Sequence, residues 1–231
     1  RSAIAVDLKH PDGVATVLDL VSKADALIEG FRPGVMERLG LGPDVCLARN
    51  PMLVFGRMTG WGQTGPLASA VGHDIDYIAL SGMLSTFARD GERPLPPGNV
   101  AGDMGGGGLL LAFGIACALF EARGSGRGQV VDAAMFEGAA TLGVSLFTMA
   151  GMKLHDTNRP GTNMSDGGSH FYDVYATKNG QYVAVGAIEP PFYAALLRGL
   201  GLEAETLPKQ MDRTSWPAMK QRIAAIFLQK T

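Results

Sequence analysis

The chain has 231 residues, 46% of them hydrophobic and 18% charged, which is typical of a globular protein and excludes a disordered chain. Its formal net charge of −2 argues against nucleic acid as a partner, because phosphate binding needs a basic face. The two cysteines, Cys46 and Cys117, lack metal-ligand spacing, so we expect no metal site and two inert thiols in or near the core.

Apolar runs alternate with helical patterns over the first half of the chain. Ala3–Asp7, Ala26–Glu29 and Leu53–Arg57 have the composition of buried strands, and Pro11–Lys23 predicts the helix of a βαβ unit. The alternation predicts an α/β fold with a Rossmann-like parallel sheet. Further elements are predicted as helices at Val35–Leu39, Pro43–Asn50, Asp74–Leu84, Met104–Glu121 and Ala133–Met152, and as a strand at Gln129–Asp132.

The longest apolar run, Leu109–Phe120, is shorter than the ~18 residues of a membrane span. It predicts a buried helix and no membrane span. No secretory signal pattern follows Arg1, so we expect a cytoplasmic protein. A strand pattern opens the chain without a cap and a helical pattern closes it without one, so we expect a fragment truncated at both ends.

Composition changes near Lys153. Residues 153–170 are rich in polar residues and glycine, which predicts a linker between a large domain, residues 1–152, and a small α+β domain, residues 171–231. Asn179-Gly180 is a strong hairpin signal. The elements predicted there are strands at Tyr172–Ala176 and Tyr182–Ala187 and helices at Pro191–Leu200 and Trp216–Leu228.

Two polar motifs each precede a helical pattern. His73 lies in Gly72-His73-Asp74 and Asp103 in Gly102-Asp103-Met104, so two proton carriers can face one pocket from separate helix starts. Simpler interpretations stay open, namely a polar turn with Asp74 as a helix cap, and Asp103 as the N-cap of the second helix.

Two glycine-containing segments invite a ligand. The loop 30–34 follows a strand, and Arg32 with Arg38 one helical turn later can bind an anion there, unless both are solvated surface arginines. The run Gly105–Gly108 has neither dinucleotide nor Walker spacing. It predicts either close approach of a thioester arm or helix–helix packing.

Four longer stretches, residues 24–41, 58–66, 128–135 and 185–190, carry a resemblance. In these the chain resembles the family III CoA-transferase superfamily (CaiB/BaiF type) and, within it, the alpha-methylacyl-CoA racemases. The resemblance implies an acyl-CoA thioester substrate, no cofactor beyond its CoA moiety, and an interlocked homodimer. In a eukaryote it implies a peroxisome or mitochondrion.

The resemblance also implies residue roles. His73 and Asp103 would exchange a proton with the α-carbon of 2-methylacyl-CoA through an enolate, with the Asp74 N–H near the enolate oxygen. Glu189 would orient the histidine across the subunit interface, although by itself it predicts a cap before Pro190. The matching CoA-binding positions are Val6, Asp7, Leu8, Lys9, Gly30, Phe31, Arg32, Pro33, Gly34, Arg38, Gly72, Asp74, Ile75, Asp76 and Tyr77.

Two other functions stay open. One is a CoA-transferase in which Asp103 attacks the thioester, and the other is a non-catalytic CoA-binding module. His73 favours the racemase, because transferases of the superfamily generally lack the Gly-His-Asp-Ile pattern. Met58, Met83 and Met104 can line an acyl pocket or simply fill the core.

Three positions depart from the family pattern. Gly98 stands where an apolar residue is usual, Met104 replaces a common Phe, and Ser169-His170 replaces a small residue followed by an aromatic residue or proline. These departures bear on the shape of the acyl pocket. We expect His170 to be a solvated loop histidine.

Overall fold

A computed structural model describes residues 2–231, and the chain divides into two compact units. The first comprises the segment up to Leu84 together with Pro96–Ser145, and the second comprises Ser85–Leu95 and Leu146–Thr231.

The first unit is built on a parallel three-stranded sheet in the order β1-β2-β3. The strands are β1 (Ala26–Glu29), β2 (Val54–Thr59) and β3 (Val130–Ala134). Ala26 pairs with Val54, and Phe55 pairs with Val130. The predicted α/β class with a parallel sheet is confirmed.

Helices cover both faces of this sheet. The helices of this unit are α1 (Pro11–Val21), α2 (Val35–Arg38), α3 (Pro43–Arg49), α4 (Asp74–Leu80), α5 (Leu110–Ser125) and α6 (Met135–Leu142), with a π-helix at Val100–Leu109 that runs directly into α5. A 3₁₀ turn at Met83–Thr86 and helix α7 (Val144–Gly151) begin in the first unit and end in the second. Pro11 and Pro43 stand in the first turns of their helices, where proline fits without losing a backbone hydrogen bond.

Side chains of β2 point alternately to the two faces of the sheet, and each face has its own apolar core. Phe55 is fully buried in a cluster with Val21 and Cys46, on the side of α1 and α3. Its neighbour Val54 is buried against Ile115 of α5 on the other face. Successive strand residues point to opposite faces, so one short apolar strand serves two cores.

The predicted strand at Ala3–Asp7 is wrong. Residues 3–7 have no regular secondary structure and are mostly exposed. The described sheet begins at β1, which pairs only with β2, so no neighbouring strand supplies the ladder that a strand needs.

The prediction of a buried helix at Leu109–Phe120 is also wrong. The two faces of this stretch differ: Leu111 and Ile115 of α5 pack on the sheet, whereas Leu109, at the end of the π-helix, and Phe113 and Phe120 of α5 are 67%, 67% and 83% exposed. Together with the π-helix it forms one continuous segment, Val100–Ser125, long and apolar enough by length and composition to cross a membrane, a property that core helices of soluble proteins share.

The two cysteines differ in solvent exposure. Cys46 is buried, donates to the carbonyl oxygen of Leu41 at 3.3 Å, and has a pKa raised by burial. Cys117 lies on α5 and is exposed, so the expectation of a core or near-core position was wrong for it.

The second unit contains an antiparallel hairpin and two helices. Its elements are β4 (Tyr172–Ala176), β5 (Tyr182–Gly186), α8 (Pro190–Leu200) and α9 (Trp216–Phe227), with a distorted turn at Met164–Gly168. Thr177 pairs with Gln181 across a three-residue loop in which Gly180 has φ of 75°, which confirms the hairpin predicted from Asn179-Gly180. Tyr175 and Ile223 bury the hairpin against α9.

The prediction that His170 is a solvated loop histidine is wrong. The side chain is 1% exposed and its Nε2 lies 2.8 Å from the Tyr193 hydroxyl, with the Phe171 ring edge-on at 5.1 Å. Within residues 2–231, no hydrogen-bond partner exists for its Nδ1. Burial lowers the pKa of His170 to about 4, so this is a neutral core histidine.

Candidate active site

The first helix start of the site is the beginning of α4. His73 occupies its N-cap, and the His73 N–H donates to Oδ2 of Asp76 at 2.9 Å. One turn on, the Tyr77 hydroxyl donates to the carbonyl oxygen of Gly72 at 2.6 Å, and its ring packs edge-on against Trp61 at 4.8 Å. The backbone around His73 is therefore fixed, while its side chain is exposed.

Asp74 connects the two predicted proton carriers. Its side chain is 4% exposed, and its Oδ1 accepts hydrogen bonds from the N–H groups of Gly102 at 2.8 Å and Asp103 at 2.7 Å. The side chain of Asp74 therefore caps the π-helix and not its own helix, which corrects the simpler interpretation. His73 precedes Asp74 in the chain and Asp103 donates to it, so the fold brings the two helix starts together.

Asp103 lies in the first turn of the π-helix and is not its N-cap, as one interpretation held. The N-cap is Asn99, whose Nδ2 donates to Oδ2 of Asp103 at 2.8 Å. Gly98 and Asn99 both have left-handed backbones, with φ of 68° and 65°. An apolar residue at position 98 would be strained in that conformation, which gives a physical reason for glycine there.

Burial and two nearby carboxylates raise the pKa of Tyr77. Burial is the largest cause, followed by the charges of Asp103 and Asp76. Asp103 itself is half-buried. The phenol thus stays protonated and can donate to Gly72, and Asp103 lies within electrostatic reach of the α4 start.

The glycine run packs helices, which was one of its two interpretations. A Cβ on Gly106 would lie 2.6 Å from the backbone nitrogen of Ala139 in α6, and one on Gly138 would lie 1.9 Å from the carbonyl oxygen of Gly106. The two backbones touch, so neither position has room for a side chain. Gly108 contacts only its own helix and keeps space beside it.

The loop 30–34 leaves the sheet at the carboxyl end of β1. Its Phe31 N–H donates to Oε2 of Glu29 at 2.7 Å. Arg32 and Arg38 are exposed, and neither forms an ion pair with a carboxylate within residues 2–231. Ligands of open parallel sheets bind at this edge, so both guanidinium groups are free to meet an anion there.

Residues 6–9, the first of the CoA-binding positions that the resemblance implies, share an apolar core with the helix that follows the loop 30–34. Oδ1 of Asp7 accepts from the Lys9 N–H at 2.9 Å, which closes a turn. Leu8 packs on the same apolar cluster as Met36, the second residue of α2. Val6 is half-buried, whereas Asp7 and Lys9 are exposed.

Glu189 belongs to the second unit. It is the N-cap of α8, and its carbonyl oxygen accepts from the N–H groups of Phe192 and Tyr193. Its side chain is exposed and makes no capping hydrogen bond. Gln210 fixes the preceding turn by donating to the carbonyl oxygens of Ala187 and Ile188 at 3.0 and 2.8 Å.

Residues 2–231 contain no group of three or more His, Cys, Asp or Glu side chains able to hold a metal ion. The three predicted methionines differ in environment. Met58 lies close to Gly107, Met83 is buried, and Met104 is 65% exposed directly beside Asp103.

Fold and site together define an α/β protein in which a loop with free arginines follows a strand of the parallel sheet. His73 and Asp103 lie at the starts of two helices. Its sequence matches the profile of CoA-transferase family III over residues 1–231, and the chain belongs to that family. It is 50% identical to the alpha-methylacyl-CoA racemase of Mus musculus and 46% identical to that of Homo sapiens, each over 231 residues.

These alignments cover 100% of the chain and 60% of each relative, so the chain spans about three fifths of the curated relatives it matches. The fold is similar to the crystal structure of a hypothetical protein (Rv3272) from Mycobacterium tuberculosis. That similarity has a TM-score of 0.79 at 26% identity, over 100% of this chain and 63% of that one.

Proposed function

We propose that the protein is a racemase of 2-methylacyl-CoA thioesters, with His73 and Asp103 as the two proton carriers. The observation that carries this proposal is the bridge from Asp74 to the N–H groups of Gly102 and Asp103. It joins the two helix starts that carry His73 and Asp103, which differ in their proton chemistry. The names of the mouse and human relatives support the same reaction.

Racemisation needs one group that is deprotonated and one that is protonated on opposite sides of the α-carbon. In one direction His73 removes the α-proton and the electron pair moves to the thioester oxygen as an enolate. Asp103 then returns a proton to the opposite face, and the reverse direction exchanges the roles. The hydrogen bond from Asn99 occupies Oδ2 of Asp103 and leaves Oδ1 available for this transfer.

The enolate oxygen requires a donor. The N–H of Asp74 stands at the first position of α4, where a helix leaves its backbone donors unpaired. Within residues 2–231 no acceptor is bound to it. We expect this N–H to meet the thioester oxygen, and removal of one such donor typically costs ~100 to 1,000-fold in rate.

Charge distribution supports CoA at the carboxyl edge of the sheet. Arg32 and Arg38 are exposed cations that form no ion pair with a carboxylate among the described residues; Arg32 lies in the loop that leaves β1 and Arg38 in the helix that follows it. A polyanionic CoA supplies the phosphate groups that such arginines bind.

We also propose that the protein forms a homodimer, which the resemblance to the family implies. Leu109, the last residue of the π-helix, and Phe113 and Phe120 of α5 are exposed and spaced as one helical stripe. Contiguous exposed apolar side chains mark interaction surfaces. The side chain of Glu189 is exposed and makes no capping hydrogen bond, so its carboxylate is free to contact the partner subunit's His73.

The test of the homodimer is light scattering. The full-length protein should give twice the subunit mass, and the double variant F113D/F120D should give a single subunit mass.

The test of the reaction uses the full-length protein, one enantiomer of a 2-methylacyl-CoA and deuterated buffer. Deuterium uptake at the α-carbon with loss of optical purity is expected, with no added carboxylic acid. His73→Gln and Asp103→Asn should each lower the rate by ~100-fold or more, since proton carriers contribute ~100 to 10,000-fold. The exposed Asp44 provides the matched control, and D44N should keep the wild-type rate.

Other outcomes decide between the alternatives. CoA transfer to an added carboxylic acid, without exchange, would assign Asp103 as a nucleophile and contradict the racemase. CoA binding without exchange or transfer would leave a non-catalytic binding module. His73 is the observation against the transferase, since attack by a carboxylate does not need a second proton carrier.

A further inference from the structure

Arg57 of β2 is a buried cation at the carboxyl edge of the sheet. The residue is 6% exposed, and its guanidinium bonds two carboxylates. Its Nε donates to Oε1 of Glu29 at 3.0 Å, and its Nη1 donates to Oε1 of Glu37 at 2.8 Å. With so little exposed surface, Arg57 cannot itself be a main contact for a ligand.

The two carboxylates lie at the two ends of the loop 30–34. Glu29 is the last residue of β1, and its second oxygen accepts from the Phe31 N–H at 2.7 Å. Glu37 lies in α2, which follows the loop. One guanidinium therefore ties the entry of the loop to its exit, and this needs the planar fork of arginine, which presents several donors at fixed angles.

These hydrogen bonds also keep Arg57 and Glu37 ionised. Burial acts to lower the pKa of Arg57, but hydrogen bonds to Glu37 and Glu29 raise it overall, so the guanidinium stays charged. The hydrogen bond from Arg57 is the main cause of a lowered pKa for Glu37, which stays ionised. Both glutamates are thus hydrogen-bonded to Arg57. Among the described residues Arg32 and Arg38 form no ion pair with a carboxylate, and the charge of Arg38 is only the last of the causes that lower the pKa of Glu37.

We propose that Arg57 is the positioning residue for CoA recognition, because it orders the loop 30–34 and withdraws Glu29 and Glu37 from Arg32 and Arg38. The two exposed arginines are then held in place and left free for the phosphate groups. This inference rests on the proposed CoA binding and adds to it a residue that touches no ligand.

Arg57→Lys in the full-length protein is the test. Lysine keeps the buried positive charge, so Glu29 stays compensated, but a single ammonium cannot hold both carboxylates with the same fork. Calorimetry with free coenzyme A should show a dissociation constant raised about tenfold or more. Hydrogen exchange in the peptide covering residues 30–38 should become faster. The KM for acyl-CoA should rise more than kcat falls.

Arg49→Lys is the matched control. Arg49 forms an exposed pair with Asp19 at 2.9 Å in the same unit, and R49K should bind CoA as the wild type does. A folded R57K variant with wild-type CoA affinity and wild-type exchange at residues 30–38 would overturn the inference. A wild-type protein that does not bind CoA would instead overturn the proposed function, so the two failures are distinguishable.

Discussion

Acid should weaken the second unit through His170. Burial lowers the pKa of this histidine from 6.5 to about 4. Between these pH values the unfolded chain binds a proton that the folded chain does not, so the free energy of unfolding falls as pH falls. A difference of about 2.5 pH units at ~1.4 kcal/mol each gives a loss of roughly 3 kcal/mol, complete below pH 4.

The measurement is urea unfolding at several pH values from 7 to 4.5. The chain has two tryptophans, and Trp61→Phe leaves Trp216 as the reporter. Trp216 packs against Phe171 at 5.8 Å, and Phe171 contacts His170, so the reporter is local to the titrating group. His170→Gln in the same background removes the titration and keeps every other ionisable group.

The expected result is a shallower loss of stability with acid in H170Q than in the parent. The difference between the two should approach the roughly 3 kcal/mol worked out for complete protonation. Equal slopes in the two proteins would refute the argument, since they would mean that the imidazole is charged in the folded state or reaches water.

Three further outcomes are expected. Asn99→Ala removes the hydrogen bond to Asp103 and should lower kcat about tenfold or more, with a smaller change in KM, by steady-state kinetics. Gly138→Ala places a Cβ 1.9 Å from a carbonyl oxygen of the π-helix and should cost ~1 to 3 kcal/mol, seen as a lower melting temperature. In the folded F113D/F120D single subunit a thiol reagent should modify Cys117 and spare Cys46, and equal reactivity would contradict their exposures.

Local signals predicted much of the fold correctly. The hairpin of the second unit follows from Asn179-Gly180, and β1 was predicted at its observed bounds, Ala26–Glu29. The strand predicted at Ala3–Asp7 failed because a strand depends on a neighbour that its own sequence does not specify. The burial of α5 failed because an apolar helix has the same composition whether one face or both are covered.

The site was less accessible to sequence reasoning. The motifs containing His73 and Asp103 predicted two helix starts at one pocket, and the structure brings those starts together. The Asp74 bridge to Asp103 joins residues 29 positions apart, and no local pattern reports such a pair. His170 was misjudged for the same reason, because its partner Tyr193 lies 23 positions away.

Because the glycine run lies in the π-helix, the number of residues in this segment determines the position of Asp103. The Met104 N–H donates to the carbonyl oxygen of Asn99, five residues back, so the hydrogen-bonded loop here encloses one more residue than in an α-helix, where the bond runs four residues back. Loss of a single residue between Asp103 and α5 would turn the aspartate by ~100° about the axis and carry its backbone N–H away from Asp74. Chain length here, and not only side-chain identity, sets where Asp103 stands relative to the start of α4.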